Sequence, residues 1–187
     1  MKKVIWGVLS TAKIGRERVL PGMLKSGLLE IRAIGSRDEA RGRAAADALG
    51  IPRAHGSYEA LLADPEIEAI YNPLPNHLHV PLTLQAAAAG KHVLCEKPIA
   101  LTADEATQLR AAAGKVLIAE AFMVRFHPQW LRARDLVREG RIGTLRAVQM
   151  FFGYNNLDPA NVRNKADIGG GGLYDIGCYA IVAGRFF

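Results

Sequence analysis

The stretch GVLSTAKIG, residues 7–15, decides how the chain folds. It closes a compact apolar run, Val4 to Leu9, and leads directly into a helical pattern. That is the place of the tight strand-to-helix turn that receives a dinucleotide. The full GxGxxG fingerprint uses its first glycine for the turn, its second for close approach of backbone to pyrophosphate and its third for helix–strand packing. Aligned on Gly15, the second place holds Ala12 and the first Ser10. A slightly wider approach absorbs the methyl group of Ala12, while Ser10 and Thr11 add hydroxyls that reach phosphate oxygens. The helix start contributes its free N–H groups and positive dipole end whatever the glycine count. Alone, the stretch fits a cofactor turn and a merely structural turn equally well.

Outward from this turn, short apolar runs alternate with helical patterns. Strands are expected at 3–9, 29–35, 67–72, 91–95 and 116–120, with helices near 14–26, 38–49, 58–63, 78–89 and 102–113. Gly50 and Gly90 stand where left-handed caps end helices, and Thr102 with Glu105 forms a capping box. Repeated strand–helix–strand units require right-handed crossovers, so the fold class is α/β with a doubly wound parallel sheet over residues 1–121. Beyond it the pattern changes. HPQWLRARDLVREG is an amphipathic helix ended by Gly140, and GTLRAVQMFFGY (143–154) reads as a long strand with Val148, Met150 and Phe152 on one face. Such a strand needs sheet neighbours. None is apparent before Phe187, so residues 122–187 are expected to be the incomplete start of a second α/β domain with an open sheet.

Composition sets the outer limits. Half of the 187 residues are hydrophobic and 22% are charged, as in a globular domain. No segment approaches the ~20 apolar residues of a membrane span. The opening MKKVIWGVLSTA imitates a signal peptide, but its apolar core is shorter than the roughly 7 to 15 residues of such a segment. Cys95 and Cys178 fit no metal spacing, and the five histidines lack ligand spacing, so no metal is expected and a reducing cytoplasm is the natural setting. The net charge of +6 comes with arginines dispersed over the helices (Arg16, Arg18, Arg41, Arg43, Arg110, Arg132, Arg134, Arg138). That pattern is a solvated basic surface rather than a nucleic-acid site.

The end of the second strand, AIGSRDEAR, selects the dinucleotide. A carboxylate about 20 residues past the turn holds the ribose 2′-hydroxyl of NAD. Ser36 and Arg37 occupy that place here, with Arg41 one helical turn on. A guanidinium and a hydroxyl suit a 2′-phosphate, which favours NADP over NAD. The alternative is Asp38 as the ribose ligand, with Arg37 a solvated loop charge.

Three further stretches carry chemistry: NPLPNHLHVPLTLQAAAAGKHVLCEKP (72–98), AEAFMVRFHPQW (119–130) and GGGGLYDIGCYAI (169–181). Lys97 follows a buried-type strand, at the edge where doubly wound sheets bind ligands. Asn76 is positioned to cap the next helix, and His79 lies on its first turn. Asp175 and Tyr179 are four residues apart, one turn on a helix. Read without a relative, each has a bland alternative: a surface lysine, a satisfied histidine, a packing tyrosine.

Together these stretches resemble the Gfo/Idh/MocA (glucose-fructose oxidoreductase) family, in particular its NADP-dependent branch of dihydrodiol and xylose dehydrogenases, over the whole chain. The resemblance implies a Rossmann domain followed by a larger α/β domain, in proteins nearly twice this length that associate through their open sheet. It implies cofactor contacts from Ser10, Thr11, Ala12, Ile14, Ser36, Arg37, Arg41, Leu74, Pro75, Asn76, His79, Glu96 and Lys97, with His79 along the nicotinamide ribose and a cis peptide bond before Pro98. Tyr179 becomes the proton-transferring group, Asp175 its substrate-side partner, and Lys97 the cation that favours the phenolate and polarises the substrate oxygen. The expected substrate is an aldose or a trans-dihydrodiol, with Arg125, Asn161 and Arg163 as hydroxyl-binding candidates. The competing classes are a non-catalytic dinucleotide sensor and an inactive fragment of such an enzyme.

Overall fold

Six strands form one sheet in the computed structural model, which describes residues 2–187. They are β1 (Val4–Leu9), β2 (Leu29–Gly35), β3 (Arg53–His55), β4 (Ala69–Asn72), β5 (His92–Glu96) and β6 (Ile118–Ala121), in the order β3-β2-β1-β4-β5-β6. β1 pairs in parallel with β2 and β4, β2 with β3, and β4 with β5. The chain thus winds outward from β1 to one edge and then from β4 to the other. This is the doubly wound architecture, and the reversal between β1 and β4 opens a crevice at their carboxyl ends. By contacts the chain divides into two compact units, Met1–Glu120 and Ala121–Phe187.

In the first unit a single π-helical turn, Gly15–Val19, runs into the short helix α1 (Leu20–Met23), which ends before the expected position 26. α2 (Glu39–Leu49), α3 (Tyr58–Ala63), α4 (His79–Ala88) and α5 (Ala103–Ala112) follow where periodicity places them. Their starts are chemical: the side chains of Asp38, Ser57 and Thr102 accept the N–H groups of Arg41, Ala60 and Glu105. Gly50 adopts φ +66° at the end of α2, the left-handed cap that glycine takes most readily. β3 has no counterpart in the sequence reading. Its three residues, Arg-Ala-His, form no apolar run, and they become a strand because β2 presents an open edge to them.

Two apolar layers clasp the sheet. One gathers Leu9, Ala33, Leu61, Ile67, Ile70 and Val93, and the other Val8, Leu20, Ile31, Ile34, Ala46 and Tyr71. Adjacent residues Val8 and Leu9, or Ile70 and Tyr71, point to opposite layers, as strand pleating requires. Gly35 backs onto the first layer so closely that an added Cβ would lie 3.0 Å from Leu61 Cβ.

In the second unit α6 (Pro128–Arg138) begins behind a 3₁₀ turn, Met123–Phe126, and α7 (Cys178–Phe186) continues a π-helical turn, Leu173–Gly177. Trp130 of α6 packs its ring 5.7 Å from Phe186 and 5.6 Å from Phe187. The strand expected at 143–154 does not form. A strand is completed by a neighbour's N–H and C=O groups, and among the described residues no segment pairs with this one. Val148, Met150 and Phe152 are accordingly 45%, 37% and 49% exposed.

Candidate active site

Ser10 occupies the tight turn after β1 at φ +71°, the left-handed conformation for which the fingerprint uses glycine. A residue with a Cβ meets a cost of roughly 1–2 kcal/mol there. Local bonds offset it: the Ser10 N–H donates to Gly35 O of β2 at 2.7 Å, and Ser10 Oγ accepts the Ala12 N–H at 3.2 Å. Thr11 and Ala12 are half-buried at the head of the helical turn, and Ile14 beside them is exposed. Arg16 Nε donates to the Thr11 carbonyl, and Gly15 is buried against Tyr71 and Pro73. The turn therefore keeps the shape of the glycine-rich version with a serine built into it.

At the end of β2, Ser36 is buried and its Oγ accepts the Asp38 N–H, while Asp38 caps α2. Arg37 and Arg41 are exposed, and neither is in an ion pair among the described residues. The two guanidiniums at this edge lie open to an anion, while the nearest carboxylate already accepts a backbone N–H.

The ends of β4 and β5 are tied together by buried polar groups. Asn72 Oδ1 accepts the Leu74 N–H, and Asn72 Nδ2 donates to His79 O and Thr83 Oγ1. Asn76 opens a 3₁₀ turn, Asn76–Leu78, that leads into α4, whose N-cap position is Leu78. Leu74 is buried and Pro75 half-buried. His79, expected beside the cofactor ribose, is 1% exposed, and its ring is turned inward. Its Nδ1 lies 2.7 Å from the Pro98 carbonyl oxygen and its Nε2 2.7 Å from that of Leu74. Burial holds its pKa below the ordinary imidazole range, opposed by these two carbonyls. Its influence on the edge therefore passes through the backbone of those two residues.

Glu96 ends β5. Its Oε1 accepts the Tyr71 hydroxyl at 2.7 Å and its Oε2 the Lys97 N–H at 3.3 Å. Lys97 follows, half-buried, and the Lys97–Pro98 bond is cis, as the resemblance implied. One bond further on, Ile99 N–H donates to Glu120. Cys95, buried behind this corner, has its thiol pKa pushed up to about 12 by burial. The first unit thus brings the Ser10 turn, the Ser36–Arg41 segment, the Leu74–Asn76 loop and the Glu96–Lys97 corner to the carboxyl ends of β1, β2, β4 and β5.

In the second unit Asp175 is the hub. Its Oδ2 accepts a short hydrogen bond from the Tyr154 hydroxyl and lies 3.1 Å from Arg163 Nε. Burial, and then the hydrogen bond to Asp175, raise the Tyr154 phenol above its usual pKa. Tyr179 is 8% exposed, its ring 4.9 Å from that of Phe122 and 5.3 Å from that of Phe152. Asn161 Oδ1 accepts the Arg163 N–H, so this residue shapes the loop that carries Arg163. Arg125 lines a groove of about 270 Å³ with Arg134, Arg138 and Arg185. Sequence reasoning missed Tyr154 and Tyr71, both of which looked like ordinary strand residues. The only hint was a tyrosine next to an asparagine in the otherwise apolar run AIYN.

Over residues 4–118 the chain matches an oxidoreductase family with an NAD-binding Rossmann fold, GFO_IDH_MocA, and over residues 130–187 the GFO/IDH/MocA C-terminal domain. It is 53% identical, over 99% of its length, to an uncharacterised oxidoreductase, ORF334, of Rhizobium meliloti. It is 46% identical, over 98% of its length, to D-xylose 1-dehydrogenase (NADP(+)) 2 of Haloferax volcanii. Among solved structures, the 3-ketoreductase KijD10 of Actinomadura kijaniata, in complex with NADP and TDP-benzene, superposes with a TM-score of 0.92 at 37% identity, covering 99% of this chain and 57% of that one. The chain spans about half the length of the curated relatives it matches, 56% and 57% for these two.

Proposed function

The chain belongs to the GFO/IDH/MocA oxidoreductase family, and from that premise we propose that it transfers a hydride between NADP and a sugar or polyol-type alcohol. The observation that carries this reading is the Glu96–Lys97–Pro98 corner: a lysine at the carboxyl end of β5, beside the switch point, with its backbone held by buried neighbours. When bound, NADP supplies the hydride acceptor.

The residues present fit that dinucleotide. Ser10 reproduces the fingerprint's turn, and the exposed guanidiniums of Arg37 and Arg41 suit a 2′-phosphate better than a bare ribose. The NADP in the name of the Haloferax relative and in the Actinomadura complex supports the same choice.

Tyr179 takes the hydroxyl proton of the alcohol during oxidation and returns it during reduction. Lys97 is assigned the role of polarising the substrate oxygen. Asp175, oriented by Arg163 and Tyr154, accepts a hydrogen bond from a second substrate hydroxyl. Arg125 is the further substrate-side cation. Following NADPH absorbance while aldoses and trans-dihydrodiols are offered in turn to the full-length protein tests the assignment. NADPH formation with at least one is expected, and none with any of them, in a protein that binds NADP, overturns it.

A further inference from the structure

The geometry points to Tyr71 as a positioning residue for Lys97, acting through Glu96. This inference rests on the reading of Lys97 as the cation at the reacting end of the cofactor. Tyr71 has no exposed surface, and its ring forms the floor beneath Gly15, where an added methyl group would touch Tyr71 Cε1 at 3.5 Å. Phenylalanine would fill that volume equally well. The hydroxyl is therefore not needed for packing, and its use is the bond to Glu96 Oε1.

That bond completes a relay. Glu96 offers two oxygens: one accepts the Tyr71 hydroxyl and the other the Lys97 N–H. With both engaged, the carboxylate cannot rotate, and the backbone from which the Lys97 side chain departs is fixed. The His79 ring sits between the carbonyls of Pro98 and Leu74, and as a neutral imidazole it donates its single N–H to one of them. The dinucleotide turn at Gly15 and the lysine corner thus rest on one buried ring. Burial, and then the Glu96 charge, push the Tyr71 phenol far above its ordinary range, so the hydroxyl stays a donor at every working pH. Without that donor Glu96 Oε1 is left unsatisfied, the carboxylate turns, and the Lys97 N–H loses its acceptor.

The test compares Tyr71→Phe with the parent protein, full chain in each case. Lysines are reductively methylated with ¹³C-formaldehyde and titrated by NMR, the Lys97 resonance being identified by its loss in Lys97→Arg. NADPH binding is followed by nucleotide fluorescence. Tyr71→Phe is expected to move the Lys97 titration midpoint by about half a pH unit, and to weaken NADPH by about three- to tenfold, the scale of one lost hydrogen bond. Tyr58→Phe, another buried tyrosine, should move neither. A Lys97 titration in Tyr71→Phe that superposes on the parent's overturns the inference. Should Tyr71→Phe fail to fold, Glu96→Gln decides: it keeps an acceptor for the tyrosine but sets an amide N–H₂ against the Lys97 N–H. An unmoved Lys97 resonance there is equally fatal. If the parent protein binds no NADPH, the cofactor reading fails, while the Lys97 comparison still decides the role of Tyr71.

Discussion

The Asp38 carboxylate accepts the backbone N–H of Arg41 at 3.0 Å. The acidic residue nearest the expected ribose position is thereby the cap of α2, and the two arginines that flank it face solvent. Arg37→Ala should then raise the Kd for NADP by about 10- to 100-fold, the loss of a charge-assisted bond to phosphate, and that for NAD by less than about threefold. Titrating the protein with each nucleotide measures both. Equal losses would hand the role back to Asp38.

Tyr179→Phe keeps the ring that packs on Phe122 and Phe152 and removes only the hydroxyl. Turnover should fall by about 10²- to 10⁴-fold, the usual worth of a positioned acid–base group, with NADP affinity within about twofold of the parent. Steady-state rates and a nucleotide titration on the same preparation check this. A variant retaining most of its rate would remove Tyr179 from the mechanism.

Asp64 makes acid stability testable. Its side chain is 5% exposed, and burial alone would raise its pKa. The Glu66 N–H, His55 and Arg53 outweigh that and hold the carboxyl below its usual range. Because the folded pKa is the lower one, the contribution is complete above the unfolded value of about 3.9 and is lost as pH falls below it through the folded value. Urea unfolding repeated from neutral pH down to about 2.5 should show Asp64→Asn less stable by about 1–3 kcal/mol near neutrality, with the difference closing in acid. A gap that persists unchanged at the lowest pH would contradict this.

Two backbone sites separate shape from chemistry. Gly35→Ala drives a methyl group to 3.0 Å from Leu61 Cβ and 3.2 Å from Ser57 O, and should cost about 1–3 kcal/mol of overpacking strain. At Ser10, with φ +71°, glycine should be neutral or stabilising by up to about 1 kcal/mol, whereas the β-branched Ser10→Val should destabilise. Thermal melts of the three variants give the comparison. A valine tolerated as well as glycine would mean that the turn does not hold that conformation.

What the amino-acid order determined alone was local. The apolar runs of β1, β2, β4 and β5, the caps at Thr102 and Gly50, and the serine at the turn were legible because each depends on residues within a few positions of one another. The doubly wound order followed from the handedness of crossovers. The tertiary structure decided the rest. β3 exists because β2 has an edge to offer, and among the described residues no segment pairs with residues 143–154. His79 turns inward to carbonyls 5 and 19 residues away, and Tyr71 reaches a carboxylate 25 residues on. Periodicity reports which face of an element is apolar, but a buried hydrogen bond needs a partner at one distance and angle, and the packed sheet alone brings such partners together.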